Sequence, residues 1–303
     1  MNYACEWVRK NLGKETPSEP FPCEWVKQHW EDEVWEAPYP CEAIEQYAES
    51  LRTVLYEDGT FIINERGADA GVNVKKHGEA SYVYPPLDSE HDYVFARQEE
   101  RYWQTELGLI KSVKFGSPVQ PTSMRAWFNS CVELESFDST NLDTSECTNM
   151  QMLFKCESGA DNTKLVSLDL SSWNTSKVTD MKQMFNRCQA LTNLNVGFDT
   201  SSVTNISQMF GNCNSLTSLD LSTFDTSSVT DMSSMFTGCT NLQTIYASNL
   251  FDVTNVTDSL FMFRNCTSIV GGAGTTYDSD KVNKEYARID NPPDAPGYFT
   301  QAV

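Results

Sequence analysis

Apolar positions recur along residues 109–270 with a long period. The stretch TSKVTDMKQMFNRC ends at Cys188, TSSVTNISQMFGNC at Cys213, TSSVTDMSSMFTGC at Cys239 and VTNVTDSLFMFRNC at Cys266. The cysteines are therefore 25, 26 and 27 residues apart. A second apolar block follows each of the first three: Leu191, Leu194 and Val196; Leu216, Leu219 and Leu221; Leu242, Ile245 and Ala247. One unit reads (F/W)-(D/N)-T-S-x-V-T-(D/N)-(M/I)-x-x-M-F-x-x-C-x-x-L-x-x-(L/I)-x-(L/V/A). Two earlier units are degenerate. The first holds Met124, Trp127, Phe128 and Cys131. In the second, Cys147 replaces Val, Cys156 sits one residue early, and a short polar insertion follows around 157–163.

The pattern within a unit predicts two elements. Val178, Met181, Met184 and Phe185 recur at 3, 3 and 4, a helical or 3₁₀ face, with Thr179 and Asp180 where capping oxygens belong. The alternating end of LxxLxL predicts a short strand. One strand and one helical turn cannot bury their own apolar face, whereas stacked neighbours can. The expected fold is an α/β solenoid, leucine-rich-repeat type and right-handed, of about six 25–27-residue units. Its repeat core is Met184, Phe185, Cys188, Met209, Phe210, Cys213, Met235, Phe236, Cys239, Met262, Phe263 and Cys266.

FDTSSVTDMSSMFTGCTNL and LDLSSWNTSKVTDMKQMF resemble the BspA-like leucine-rich repeats of bacterial and protist surface proteins. The resemblance runs over about residues 109–300, from IKSVKFGSPVQPTSMRAWFNSC to the closing PPDAPGYFT. It implies adhesion or binding at a cell surface and brings no catalytic residues.

The first third patterns differently. Cys5-Glu6-Trp7-Val8, Cys23-Glu24-Trp25-Val26 and Cys41-Glu42-Ala43-Ile44 recur every 18 residues, the last two after PFP and PYP. Val26, Trp30 and Val34, then Ile44, Tyr47 and Leu51, keep helical spacing. Residues 1–51 are thus expected to be short amphipathic helices. Such helices are marginal alone and dock on something, within the chain or on a partner. Trp7, Trp25, Trp30 and Trp35 are the candidate anchors. Residues 52–108 read as a small β-rich unit that also caps the solenoid: RTVLYEDGTFIINE forms a hairpin around Glu57-Asp58-Gly59, and SYVYPP and DYVFARQ form further strands. The solenoid fills 109–270, and 271–303 form a C-terminal cap.

Charge narrows the function. The chain has 22 Lys+Arg against 42 Asp+Glu, a net charge of −20, and residues 1–120 alone hold 12 basic and 22 acidic side chains. Such a surface repels a phosphate backbone and an anionic membrane, so neither nucleic acid nor membrane insertion is expected. No run approaches 18 apolar residues. The first 19 residues lack a basic stretch followed by an apolar one, so no secretory signal peptide is expected there.

The candidate chemistry thins out. No CxxC pair exists, which disfavours zinc ribbons and redox motifs. The repeat cysteines are expected as a buried ladder, with disulfides between in-register rungs geometrically poor. His29, His77 and His91 lie outside the repeat, with no nucleophile motif around them. Asp199, Asp225, Asp231, Asp252 and Asp258 could suggest a calcium ladder, but beside Ser and Thr at turns they read as caps. GGAG at 271–274 reads as a turn. No catalytic, metal or cofactor residues are expected.

What remains is surface. From Cys188 to Cys266, 24 of 79 residues are Ser or Thr, and Arg264 is the only basic residue against six Asp. Such a wall suits binding of host protein or glycan. An adhesin-like repeat, an anchor-like N-terminus and no export signal together point to a phage virion component facing the exterior, assembled through residues 1–51. A bacterial cell-surface adhesin and an intracellular scaffold are the alternatives.

Overall fold

The computed structural model describes residues 51–66, 77, 80–84, 106–157 and 163–302. The 18-residue repeats, with Trp7, Trp25, Trp30 and Trp35, and the expected strand DYVFARQ lie outside the described residues.

Strands β1 (Leu51–Tyr56) and β2 (Thr60–Arg66) pair antiparallel around a turn at Gly59, whose φ is +87°. A Cβ there would meet the Leu109 carbonyl and the Lys111 side chain, so the turn needs glycine twice over. Strand β3 (Ala80–Tyr84) pairs antiparallel with β1. On its other side β2 pairs in parallel with β4 (Ser112–Phe115), Thr60 opposite Ser112 and Ile63 opposite Phe115. β4 in turn pairs in parallel with β5 (Ser136–Phe137). The order is β3-β1-β2-β4-β5, so an antiparallel sheet runs directly into the parallel ladder of the repeats.

From there all strand pairing is parallel among the described residues: β6 (Ser167–Asp169) with β7 (Asn193–Asn195), β8 (Ser218–Leu221) with β9 (Thr244–Ala247), and β9 with β10 (Phe299–Gln301). A second ladder joins single residues in parallel bridges, Ser123 to Asn149 to Asp180 to Asn205 to Asp231 to Asp258. Parallel pairing of consecutive segments requires the chain to come round once per unit. The repeats therefore stack as coils, bonded throughout along the bridge ladder and, where consecutive strands pair, along the strands as well.

The segments expected as helical are runs of turns. Their N–H groups divide between two uses. Met184, Asn186 and Cys188 donate three residues back, to Met181, Gln183 and Phe185. Met181, Gln183, Phe185 and Arg187 donate across to Asn205, Ser207, Met209 and Gly211 of the next coil. A helix would keep all these donors inside one unit. Spending every second one on the neighbour forbids a helix and bonds the coils together. The turns need left-handed backbone, and non-glycine residues supply it in two columns. Ala126, Met152, Gln183, Gln208, Ser234 and Phe261 have φ of +55° to +63°, and Ser130, Arg187, Asn212 and Asn265 have +59° to +67°.

Inside the stack, Phe128, Phe154, Phe185, Phe210, Phe236 and Phe263 lie face to face, with centroids 5.4–6.0 Å apart. At its C-terminal end the column stops where rings turn edge-on, Tyr298 and Phe299 against Phe263. Near its other end Trp127 stands edge-on beside Phe128, and Phe137 edge-on beside both Phe128 and Phe154. Both arrangements suit the aromatic quadrupole. The C-terminal segment is tied by buried Asp290. Its carboxylate accepts the N–H groups of Ala273, Thr275 and Gly297 and the Thr275 hydroxyl. GGAG is a turn, with Gly274 at φ +101° donating to the Gly271 carbonyl.

Candidate binding surface

Met184, Phe185, Met209, Phe210, Met235, Phe236, Met262 and Phe263 are fully buried, and Cys188, Cys213, Cys239 and Cys266 are buried beside them. All of these define the core, and none reaches solvent to meet a partner. The cysteines are more than small apolar groups. Each thiol donates to a phenylalanine carbonyl of the preceding coil: Cys188 to Phe154, Cys213 to Phe185, Cys239 to Phe210 and Cys266 to Phe236, at 2.9–3.2 Å. Burial pushes the Cys239 thiol up to about 12 and those of Cys213 and Cys266 well above the ordinary range. They are protonated donors at neutral pH.

Aspartates and threonines serve the turns. Asp199, Asp225 and Asp252 accept the N–H two residues on, from Ser201, Ser227 and Thr254. Asp231 and Asp258 do the same for Ser233 and Leu260. Hydrogen bonds from Ser227 and Thr254 hold the carboxyls of Asp225 and Asp252 below the usual range. Buried Thr175, Thr200 and Thr226 donate to the carbonyls of Asp199, Asp225 and Asp252 one coil on. Among the described residues, no cluster of three His, Cys, Asp or Glu could hold a metal ion.

Of the histidines, His77 is described. It is buried, with Nδ1 2.8 Å from Asp58 Oδ2 and 3.2 Å from Thr60 Oγ1. A catalytic relay uses both ring nitrogens, one for the carboxylate and one for the hydroxyl. Here both partners meet the same nitrogen, which ties the β1–β2 turn together.

Polar groups line two sides of the stack. On the strand side, exposed Ser167 lies opposite Asn193 and Asp169 opposite Asn195 in one sheet, and exposed Asp220 lies opposite Tyr246 in the next, with Ser218 exposed on the same strand as Asp220. On the far side, Thr148, Thr179, Thr204, Thr230 and Thr257 form an exposed column. Each hydroxyl donates to the carbonyl of the equivalent threonine one coil earlier, beginning with Thr122, at 3.0–3.2 Å. The threonine column presents a hydroxyl once per coil, about 4.8 Å apart, and the strand side adds hydroxyl, amide and carboxylate groups at the same spacing within each sheet. Among the described residues, no helix is long and apolar enough to cross a membrane.

The fold and surface define a repeat protein of stacked coils with a buried aromatic and thiol core and a hydroxyl-rich exterior. Residues 122–218 and 193–291 match the family described as "Mycoplasma protein of unknown function, DUF285". The two matches together span more than half of the chain, which belongs to that family. The two matches overlap over residues 193–218. No curated protein matches the chain.

Proposed function

We propose that the protein is a non-enzymatic recognition module. Its stack is a right-handed leucine-rich-repeat solenoid of the BspA-like class, and its outer rows bind a host protein or glycan. The observation that carries this reading is the regular exterior: hydroxyl, amide and carboxylate groups recur once per coil on a scaffold held by backbone bonds. Such a surface gives many modest hydrogen bonds to an extended partner. Catalysis needs perturbed groups converging in a pocket, whereas the shifted groups described above are core thiols and turn carboxylates. Residues 1–51 attach the module to its platform, with Trp7, Trp25, Trp30 and Trp35 as anchors. The platform is a virion facing the exterior. A bacterial cell surface is the second reading, favoured by membership of a family described from Mycoplasma.

A glycan and surface-protein array probed with full-length protein tests the recognition role. Binding that Asn193→Arg with Asp220→Arg abolishes, at unchanged melting temperature, is the expected result. An array silent at high protein concentration, or binding indifferent to substitutions on both outer surfaces, overturns the reading. Deleting residues 1–51 is expected to leave array binding intact and to abolish incorporation into the platform. Recovery of the intact protein with purified virions or with cell envelopes separates the two platforms.

A further inference from the structure

The thiol ladder has one irregular rung. In five units the cysteine follows the stacked phenylalanine by three residues, as in Phe185 and Cys188. In the second unit it follows by two, Phe154 and Cys156. Cys156 thereby takes the backbone place held elsewhere by Arg187 or Asn212: its N–H donates to Asn186 O, as that of Arg187 donates to Gly211 O. Its side chain nevertheless turns into the core and is buried. The consequence falls on Cys188. Regular rungs give each thiol a phenylalanine carbonyl one coil back, but Cys156 and Cys188 both turn to the Phe154 carbonyl, with Sγ at 3.9 and 3.2 Å.

The offset changes what the two sulfurs can do. Rungs in register hold their Cβ–Sγ bonds side by side, which does not suit the near-perpendicular torsion of a disulfide. Cys156 is one backbone position out of that register, and its sulfur and that of Cys188 converge on one oxygen. The two thiols are neighbours around the Phe154 carbonyl. The neighbouring Cys188 thiol pulls that of Cys156 below its ordinary value, while Cys156 and burial hold Cys188 protonated, well above it. Cys213, Cys239 and Cys266 are raised instead.

We propose that Cys156 and Cys188 are a redox pair, the place in the ladder where a peroxide closes a disulfide between two neighbouring coils. The Cys156 thiolate attacks one peroxide oxygen, the O–O bond breaks, and Cys156 becomes a sulfenic acid as hydroxide leaves and takes up a proton. Cys188 sulfur then attacks the Cys156 sulfur. The S–O bond breaks, and the departing hydroxide leaves as water with the Cys188 proton. Two thiols lose two electrons, hydrogen peroxide gains them, and two waters form. The disulfide fastens the second coil to the third. A dithiol reductant reverses the reaction.

The test uses full-length protein treated with hydrogen peroxide under native conditions, then denatured, alkylated and mapped by peptide mass. The expected product is a 156–188 linked peptide, with two alkylatable thiols lost from the described cysteines and regained after dithiothreitol. C156S and C188S each abolish that peptide. C213S leaves its yield unchanged, and circular dichroism of each variant before oxidation confirms the fold. Three outcomes overturn the proposal: alkylation of both residues after oxidation, linkage of Cys188 to Cys213 at comparable yield, or oxidation of Cys156 to sulfinic acid without linkage.

Discussion

The third to fifth coils and the second coil solve one packing problem in two ways. From Met181 to Cys239 every coil repeats the same contacts: phenylalanine on phenylalanine, thiol on the preceding carbonyl, buried threonine on the next aspartate carbonyl. The second coil departs at several points. Its Cys156 comes early, an insertion succeeds it, and the next corner carries Trp173 where later coils carry Phe198, Phe224 and Phe251. The Trp173 indole N–H is buried with no hydrogen-bond partner among the described residues, a polar atom that a phenyl ring does not bring. Yet Phe154 keeps its place between Phe128 and Phe185. The stack tolerates change on the C-terminal side of the ring and holds the ring itself constant, so the phenylalanine column is the element that specifies register.

The largest expected effect lies in that column. Phe210→Ala removes a fully buried ring with a neighbour on each face, and a denaturant melt is expected to show a loss of about 3–5 kcal/mol. A loss no larger than that of Trp173→Phe would erase the distinction between the column and the corner.

A smaller effect is expected at the C-terminal end, where Asp290→Ala leaves three N–H groups and a hydroxyl without their acceptor. The expected cost is about 2 kcal/mol. The acid dependence has a definite sign. Burial raises the Asp290 carboxyl, but the hydrogen bonds from Thr275, Gly297 and Ala273 outweigh it and hold the group below 3.8. Its contribution is complete above the unfolded value and is lost as pH falls through the folded one. Stability measured from pH 6 downward is expected to fall less steeply in Asp290→Asn than in the parent.

The smallest effect concerns the left-handed columns. Ser234 stands at φ +55° and Gly238 at +77°, in the same coil. Ser234→Gly relieves backbone strain but frees the unfolded chain, and a net gain of about 0.5 kcal/mol is expected. Gly238→Ala is expected to lose about 1–2 kcal/mol, because the backbone is strained for alanine and the new Cβ would collide with Asn212 Oδ1. Thermal melts of the two variants check the opposite signs.

Much of this was legible in the chain. The period, the Met-Phe pair, the early cysteine and the hairpin at 57–59 are all visible as spacing. The helical reading of VTDMKQMF was not sound, and the reason is physical. Residues at 3, 3 and 4 line one side of a helix, but a run of turns with left-handed corners places them on one side as well. Only the destination of the N–H groups separates the two, and that lies in another unit. Glycine would have signalled the left-handed corners, yet Gln183, Gln208 and Ser234 occupy them. The thiol-to-carbonyl bonds were hidden for the same reason, since the acceptors are backbone atoms about a coil away. The outer rows could be named as hydroxyl-rich, but their alignment emerges only once the coils are superposed.

The aromatic column ends edge-on at its C-terminal extremity, and this separates length from identity. A face-to-face stack has no intrinsic stopping point, since each ring presents to the next what it receives from the last. Tyr298 and Phe299 on one side, and the β3-β1-β2-β4 sheet that runs into the first coil on the other, turn a growing series into a finite object. A gene that gains or loses one whole unit in the middle disturbs neither terminus. It changes the reach of the molecule by one step of about 4.8 Å. Span can therefore be matched to a target by counting copies, without redesign of the ends.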